Sequence, residues 1–106
     1  MAESISVQEL QKLLKEKKNI TVLDVRRKGD YEASPQKIEN ATWHDPEKMD
    51  ELINGVPRDR QLVVYCVKGG SVSQSVADRL QNNQCKVKYL EGGIKAWNES
   101  GDIIIE

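Results

Sequence analysis

The stretch Leu62-Val63-Val64-Tyr65-Cys66-Val67-Lys68-Gly69-Gly70-Ser71, continued by Val72-Ser73-Gln74-Ser75-Val76-Ala77-Asp78-Arg79-Leu80, changes character twice. A run of β-favouring apolar residues gives way to two consecutive glycines, and then Val72, Val76 and Leu80 recur at helical spacing. Strand, tight loop and helix is the expected order. The strand delivers Cys66 to the end of a sheet, and the glycines let the backbone curl so that successive amide N–H groups converge on one point. The positive end of the following helix and the Lys68 ammonium add to the attraction for negative charge at the sulfur. These effects favour a thiolate and set Cys66 apart from the ordinary buried cysteine, which behaves as a small hydrophobe.

Elements of the same two kinds alternate on either side. Ser6 followed by Val7-Gln8-Glu9-Leu10-Gln11-Lys12-Leu13-Leu14-Lys15 has the pattern of a capping box, with Val7, Leu10, Leu13 and Leu14 on one helical face. Ile20-Thr21-Val22-Leu23-Asp24-Val25 is the compact β-branched run of a strand covered on both sides. The polar segment Lys28 to Pro35 reads as a connection with room for one helical turn, and Asn40-Ala41-Thr42-Trp43 reads as a short strand. Asp45-Pro46 predicts the start of a helix with Met49, Leu52 and Ile53 inward, ended by Gly55. Lys86 to Leu90 predicts a strand, Gly92-Gly93 a break, and Ile94 to Asn98 a last helix ended by Gly101. The tail Asp102-Ile103-Ile104-Ile105-Glu106 is expected to pack back on the domain or to pair as an edge strand. This alternation predicts an α/β fold with a mainly parallel central sheet of about five strands and helices on both faces. Ligands of such sheets bind beyond the carboxyl ends of the strands, where Cys66 falls.

Composition narrows the function. A chain of 106 residues suits a single domain spanning 1–106. Sixteen basic against seventeen acidic residues, mixed along the chain, give no basis for electrostatic capture by nucleic acid or an anionic membrane. The cluster Lys15, Lys17 and Lys18 reads as the solvated end of the first helix. Cys66 and Cys85 are too few for a disulfide framework and form no Cys-x-x-Cys pair. Together with a start, Met1-Ala2-Glu3-Ser4, that lacks the regions of a signal peptide, this predicts a reducing, cytoplasmic setting. With one histidine, His44, and two cysteines, neither a metal nor a cofactor is expected.

Four segments in order resemble the single-domain rhodanese-like sulfurtransferases: Val22-Leu23-Asp24-Val25-Arg26, then Ile38 to Trp43, then Val63-Val64-Tyr65-Cys66 with its glycine loop, then Leu90-Glu91-Gly92-Gly93-Ile94-Lys95-Ala96-Trp97. Ala41 to Pro46 with Val72-Ser73-Gln74 also resembles a subgroup often encoded beside chromate-resistance genes. The resemblance implies that Cys66 takes the outer sulfur of a donor such as thiosulfate, holds it as a persulfide, and passes it to cyanide or a thiol. It implies that Val67, Lys68, Gly69, Gly70 and Ser71 cradle that sulfur, with Lys68 at a basic position of thiosulfate-using members. Val67 departs from the arginine often found there, so attraction for a dianionic donor should be weaker. Glu39-Asn40-Ala41 replaces the usual proline-glycine-alanine lead-in, which bears on a turn rather than on the nucleophile.

Asp24 and Arg26 are candidate supporting residues of the site. An ion pair that pins loops is the favoured reading, with substrate contact the alternative. His44 suits a structural or surface role, because sulfur transfer needs no general base once the thiolate exists. Trp43 and Trp97 read as packing residues. Cys85 reads as a core thiol, with a resolving cysteine the alternative. Three other functions compete: a sulfur carrier fed by a protein persulfide, a non-catalytic binding module, and a phosphatase or arsenate reductase. The last needs an arginine six positions after the cysteine. Val72 stands there, and no bidentate guanidinium is available for an oxyanion.

Overall fold

The computed structural model describes residues 2–16, 19–38 and 40–99. Five strands form one sheet: β1 (Glu3–Ile5), β2 (Ile20–Asp24), β3 (Ala41–Trp43), β4 (Gln61–Tyr65) and β5 (Lys86–Leu90). Their order is β1-β5-β4-β2-β3, and every neighbouring pair is parallel. The helices are α1 (Val7–Lys15), α2 (Lys28–Ala33), α3 (Met49–Gly55), α4 (Ser71–Gln81) and α5 (Gly93–Glu99). None of them is long and apolar enough to cross a membrane.

The alternation of side chains along the strands builds two cores. Val22, Val63 and Tyr65 turn to one face and meet Ile5, Val7 and Leu10 of the N-terminal segment and Ile94 and Trp97 of α5. Leu23, Leu62 and Val64 turn to the other and meet Leu52 of α3 and Val76, Ala77 and Leu80 of α4. This division follows from right-handed crossovers. Movement along the sheet from β2 to β3 is opposite to that from β4 to β5, so their connections lie on opposite faces. β4 sits at the centre, and Leu62, Val63, Val64 and Tyr65 are all fully buried.

The sequence expectation for α1 holds in detail. Glu9 N–H donates to Ser6 Oγ and Ser6 N–H to the Glu9 carboxylate, both at 3.1 Å, so each satisfies a donor the helix end would otherwise leave open. Two expectations need correction. The N-terminal strand β1 was not foreseen, because only Ile5 of its three residues is buried and three residues show no alternation. It pairs with Lys88–Leu90 and supplies the fifth strand. Asp45-Pro46 opens a turn rather than α3: Asp45 accepts from Glu47 N–H through Oδ1 and from Lys48 N–H through its carbonyl. The helix begins at Met49, with Lys48 as its N-cap. Lys17, Lys18, the Gly101 helix end and the 102–106 tail lie outside the described residues.

Candidate active site

β2 and β4 lie side by side, with Asp24 opposite Tyr65, and beyond these residues the chain leaves toward opposite faces. Such a divergence opens a crevice at the carboxyl ends of the strands. Cys66 is the first residue after β4, and it shares a cavity of about 230 Å³ with Arg26, Arg27, Asp30, Val67, Lys68, Gly70, Ser71 and Val72. Residues after β2 thus form one wall and the cysteine loop the other.

The sulfur has a partner that the sequence reading did not single out. Cys66 Sγ lies 3.2 Å from Oγ of Ser73, which is fully buried in the first part of α4. The thiol donates in this arrangement, and rotation of the serine hydroxyl lets it donate to a thiolate instead. Gly70 is the N-cap of α4 and brings no side chain, so the cap supplies no acceptor for the N–H groups of the first turn. Through Ser73 the first turn of α4, the positive end of its dipole, is brought to the sulfur.

The back of the loop is fastened by Glu91-Gly92-Gly93-Ile94-Lys95. Ile94 N–H donates to the Cys66 carbonyl at 2.9 Å and Lys95 N–H to the Val67 carbonyl at 3.0 Å. Gly93 has φ +62°, and a Cβ there would collide with both carbonyls. Gly69, at φ +72°, approaches the same segment, and a Cβ on it would stand 2.7 Å from Gly92 N and 2.8 Å from the Leu90 carbonyl. Two left-handed glycines therefore let two loops touch backbone to backbone. Gln74 Nε2 ties the loop to α4 through the Gly69 carbonyl, at 2.9 Å.

Asp24 and Arg26 form a pair 0% and 2% exposed, with Arg26 Nη2 2.7 Å from Asp24 Oδ2 and Nε 3.0 Å from each carboxylate oxygen. The guanidinium also donates to the carbonyls of Ser34 (2.8 Å) and Gln36 (3.0 Å). Burial opposes its charge, but the hydrogen-bonded Asp24 carboxylate prevails and holds the Arg26 pKa above its ordinary value. The pair pins the segment after α2, the structural role expected for it. Asp24 does not line the cavity, while Arg26 forms part of its wall. Tyr65 sits beside the pair and accepts from Ile38 N–H at 3.2 Å, and burial followed by the nearby Asp24 charge raises its phenol pKa.

Of the five loop residues expected to cradle sulfur, Val67, Lys68, Gly70 and Ser71 line the cavity, whereas Gly69 serves at the rear contact. Arg27 is the residue sequence reasoning missed. It is exposed, has no ion pair with a described residue, and brings a second cation to a wall where Val67 brings none. Its signal was its place three residues beyond the end of β2, the strand neighbouring that of Cys66. His44 is tied by its backbone N–H to the Asp24 carbonyl (2.8 Å) and does not line the cavity; burial lowers its imidazole pKa. Trp43 stacks on Tyr31 with ring centres 4.7 Å apart and donates from Nε1 to the Arg26 carbonyl, and Trp97 is buried in the core. Among the described residues no three His, Cys, Asp or Glu side chains form a group that could hold a metal ion.

Comparisons with known proteins agree with this arrangement. A thiosulfate sulfurtransferase GlpE of Coxiella burnetii is 36% identical over 98 residues, covering 92% of this chain and 88% of that one. A sulfurtransferase of Allochromatium vinosum is 27% identical over 103 residues, covering 95% and 92%. A rhodanese-related protein of Thermoplasma volcanium superimposes with TM-score 0.82 at 26% identity over 97% of each chain. A rhodanese-like domain protein of Staphylococcus aureus gives 0.80 at 26% identity, covering 98% and 99%. Residues 6–100 match the Rhodanese-like domain, and with the parallel sheet and the cysteine loop between β4 and α4, the chain belongs to that family.

Proposed function

We propose that the protein is a sulfurtransferase that moves sulfane sulfur from a small anionic donor of the thiosulfate type to a thiophilic acceptor through a persulfide on Cys66. The observation that carries this reading is Cys66 Sγ at the crevice between β2 and β4, hydrogen-bonded to Ser73 and flanked by Lys68 and Arg27. The Cys66 thiolate attacks the outer sulfur of thiosulfate. A Cys66 S–S bond forms, the S–S bond of the donor breaks, and sulfite leaves with its electron pair. An acceptor nucleophile then attacks the outer sulfur of the persulfide, and Cys66 departs as thiolate. The Ser73 hydroxyl stabilises that thiolate in both halves, and the two flanking cations attract the donor. The catalytic cysteine also supports transfer from a protein persulfide, with the same second half-reaction.

Arg27 brings a guanidinium to the cavity that sequence reasoning did not expect, but it comes from the wall after β2 and not from the cysteine loop, where a phosphatase carries its arginine. Val72 lines the cavity where a phosphatase needs a guanidinium, and Arg26 is already committed to Asp24 and two carbonyls. The test is steady-state thiocyanate formation from thiosulfate and cyanide. Cys66→Ser should reduce it to background, and Lys68→Ala and Arg27→Ala should each raise the thiosulfate KM several-fold, as removal of a steering charge does. Absence of turnover with thiosulfate, mercaptopyruvate and a persulfide donor alike would overturn the reading.

A further inference from the structure

Two adjacent arginines follow β2, and Trp43 meets the chain at their junction. The Arg26 side chain is spent on Asp24 and on the Ser34 and Gln36 carbonyls. Arg27 is exposed, has no ion pair with a described residue, and lines the sulfur cavity with Cys66 and Lys68. Its place in that wall therefore depends on its backbone. Trp43 is the last residue of β3 and pairs in register with Asp24 of β2. From there its Nε1–H donates to the Arg26 carbonyl at 2.9 Å, and its ring lies on Tyr31 with centres 4.7 Å apart and planes 8° from parallel. Tyr31 belongs to α2, and its own N–H donates to the Arg27 carbonyl at 3.0 Å. One side chain thus holds the chain on both sides of Arg27. The carbonyl before Arg27 shares a planar peptide with its nitrogen, so the indole bond sets the direction in which Arg27 leaves. The helix after it is a weak anchor by itself, with six residues, none of them buried, and no side-chain cap. A helix so short depends on tertiary contacts, and the Tyr31 stack on Trp43 is one of them.

We propose that Trp43 is a positioning residue of the sulfur site: through the Arg26 carbonyl and the Tyr31 ring it holds Arg27 at the cavity wall, where the cation draws anionic reagents to Cys66. The sequence pattern made Trp43 a packing residue, and the indole N–H adds a second task to the ring. The proposal rests on the sulfurtransferase reading for the identity of the anion, whereas the placement of Arg27 can be measured without it. The two contacts of Trp43 are separable. Trp43→Phe keeps a ring for Tyr31 and removes the N–H donor. The Arg26 carbonyl is part-buried at this contact, so water can replace the donor and the fold survives, but the direction of the peptide is no longer fixed. Tyr31→Leu does the reverse, removing the stack and leaving the indole bond in place.

Alkylation of Cys66 reads the cation with no sulfur donor present. The thiolate displaces iodide from anionic iodoacetate or neutral iodoacetamide, forming the same S–C bond, so the ratio of the two rates cancels the thiolate fraction and reports the positive charge around the sulfur. Arg27→Ala should lower the iodoacetate-to-iodoacetamide ratio at Cys66 up to about fivefold, the scale of one exposed ion pair. Trp43→Phe should lower it by nearly as much, Tyr31→Leu should lower it in the same direction, and the double variant with Arg27→Ala should fall no further than Arg27→Ala alone. In turnover, Trp43→Phe should raise the thiosulfate KM up to about fivefold with kcat changed less than about twofold, and added salt should narrow the difference from the unsubstituted protein. An unchanged alkylation ratio in Trp43→Phe, or a further fall when it is combined with Arg27→Ala, would overturn the proposal whatever the donor. Ratios that fall as expected in a protein that turns over no sulfur donor would uphold the placement of Arg27 and overturn the sulfurtransferase reading instead.

Discussion

Cys66 and Cys85 are buried almost equally, 5% and 6% exposed, and both adjoin the strand pair β4 and β5. Burial therefore says nothing about which of them reacts. Cys66 follows the carboxyl end of β4, opens on a cavity with two flanking cations, and has a hydroxyl partner at 3.2 Å. Cys85 precedes the amino end of β5 and belongs to the core cluster that holds Leu62, Leu80 and Val87, with its sulfur 3.9 Å from the Asn83 carbonyl. Because Lys86 pairs with Gln61, Cys85 lies level with Arg60, and ~3.3 Å per residue places the two thiols about 20 Å apart along the strand direction. A disulfide needs Cα atoms within about 7 Å, so Cys85 cannot resolve an intermediate on Cys66 within one folded chain. The end of the sheet, rather than depth, separates the proposed nucleophile from a core thiol.

The largest effect expected from disturbing this contrast comes from the Asp24–Arg26 pair, which frames only the Cys66 end. Asp24→Asn leaves a buried guanidinium without its counter-charge and should destabilise the fold by about 3 kcal/mol in urea denaturation. A loss below about 1 kcal/mol would mean that water or rearrangement replaces the pair. Next is the glycine contact behind the loop. Gly93→Ala forces a side chain into the left-handed region and against the Cys66 and Val67 carbonyls. It should cut sulfur uptake by Cys66 by more than tenfold, with a stability loss of about 1–3 kcal/mol. Full uptake in that variant would show that the loop tolerates displacement from α5.

How much of this was legible beforehand depends on the length of the signal. The strand that ends at Cys66, its glycine loop and α4 could be read from contiguous residues, and so could the Ser6–Glu9 capping box. β1 could not, since its single buried Ile5 gives no periodicity and its pairing with Lys88–Leu90 is non-local. Ser73 was hidden as one polar residue in a helix, and its meaning depends on which face of α4 meets Cys66. Arg27 was overlooked beside Arg26, although the two adjacent arginines differ completely. One is buried and paired, and the other is exposed at the cavity mouth. The Leu90-Glu91-Gly92-Gly93 segment was legible as a family resemblance, whereas its physical reason, a backbone contact with the cysteine loop, needed the coordinates.

Ser73→Ala tests the hydroxyl that Cys85 lacks. A hydrogen bond to a charged group contributes about 1.5 kcal/mol or more, so the rate of sulfur uptake from thiosulfate should fall about tenfold while urea stability changes much less. Equal rates would assign the thiolate's stabilisation to the helix end and loop amides alone. The smallest effect concerns His44. Its folded pKa is depressed by burial below the ordinary 6.5, so the unfolded chain binds the proton first. Stability is fully present above about pH 6.5, begins to fall as pH drops below it, and stops falling on this account below the folded pKa. His44→Gln should flatten that part of a stability profile measured between pH 7.5 and 5, and an unchanged slope would remove His44 as its source.

The most direct measurement is peptide-resolved mass spectrometry of the protein after incubation with thiosulfate, followed by alkylation. One sulfur atom should be found on the peptide that contains Cys66, none on the peptide that contains Cys85, and cyanide should remove it. Sulfur on Cys85, or on neither cysteine with thiosulfate and persulfide donors alike, would contradict the assignment of Cys66 as the sulfur-carrying nucleophile.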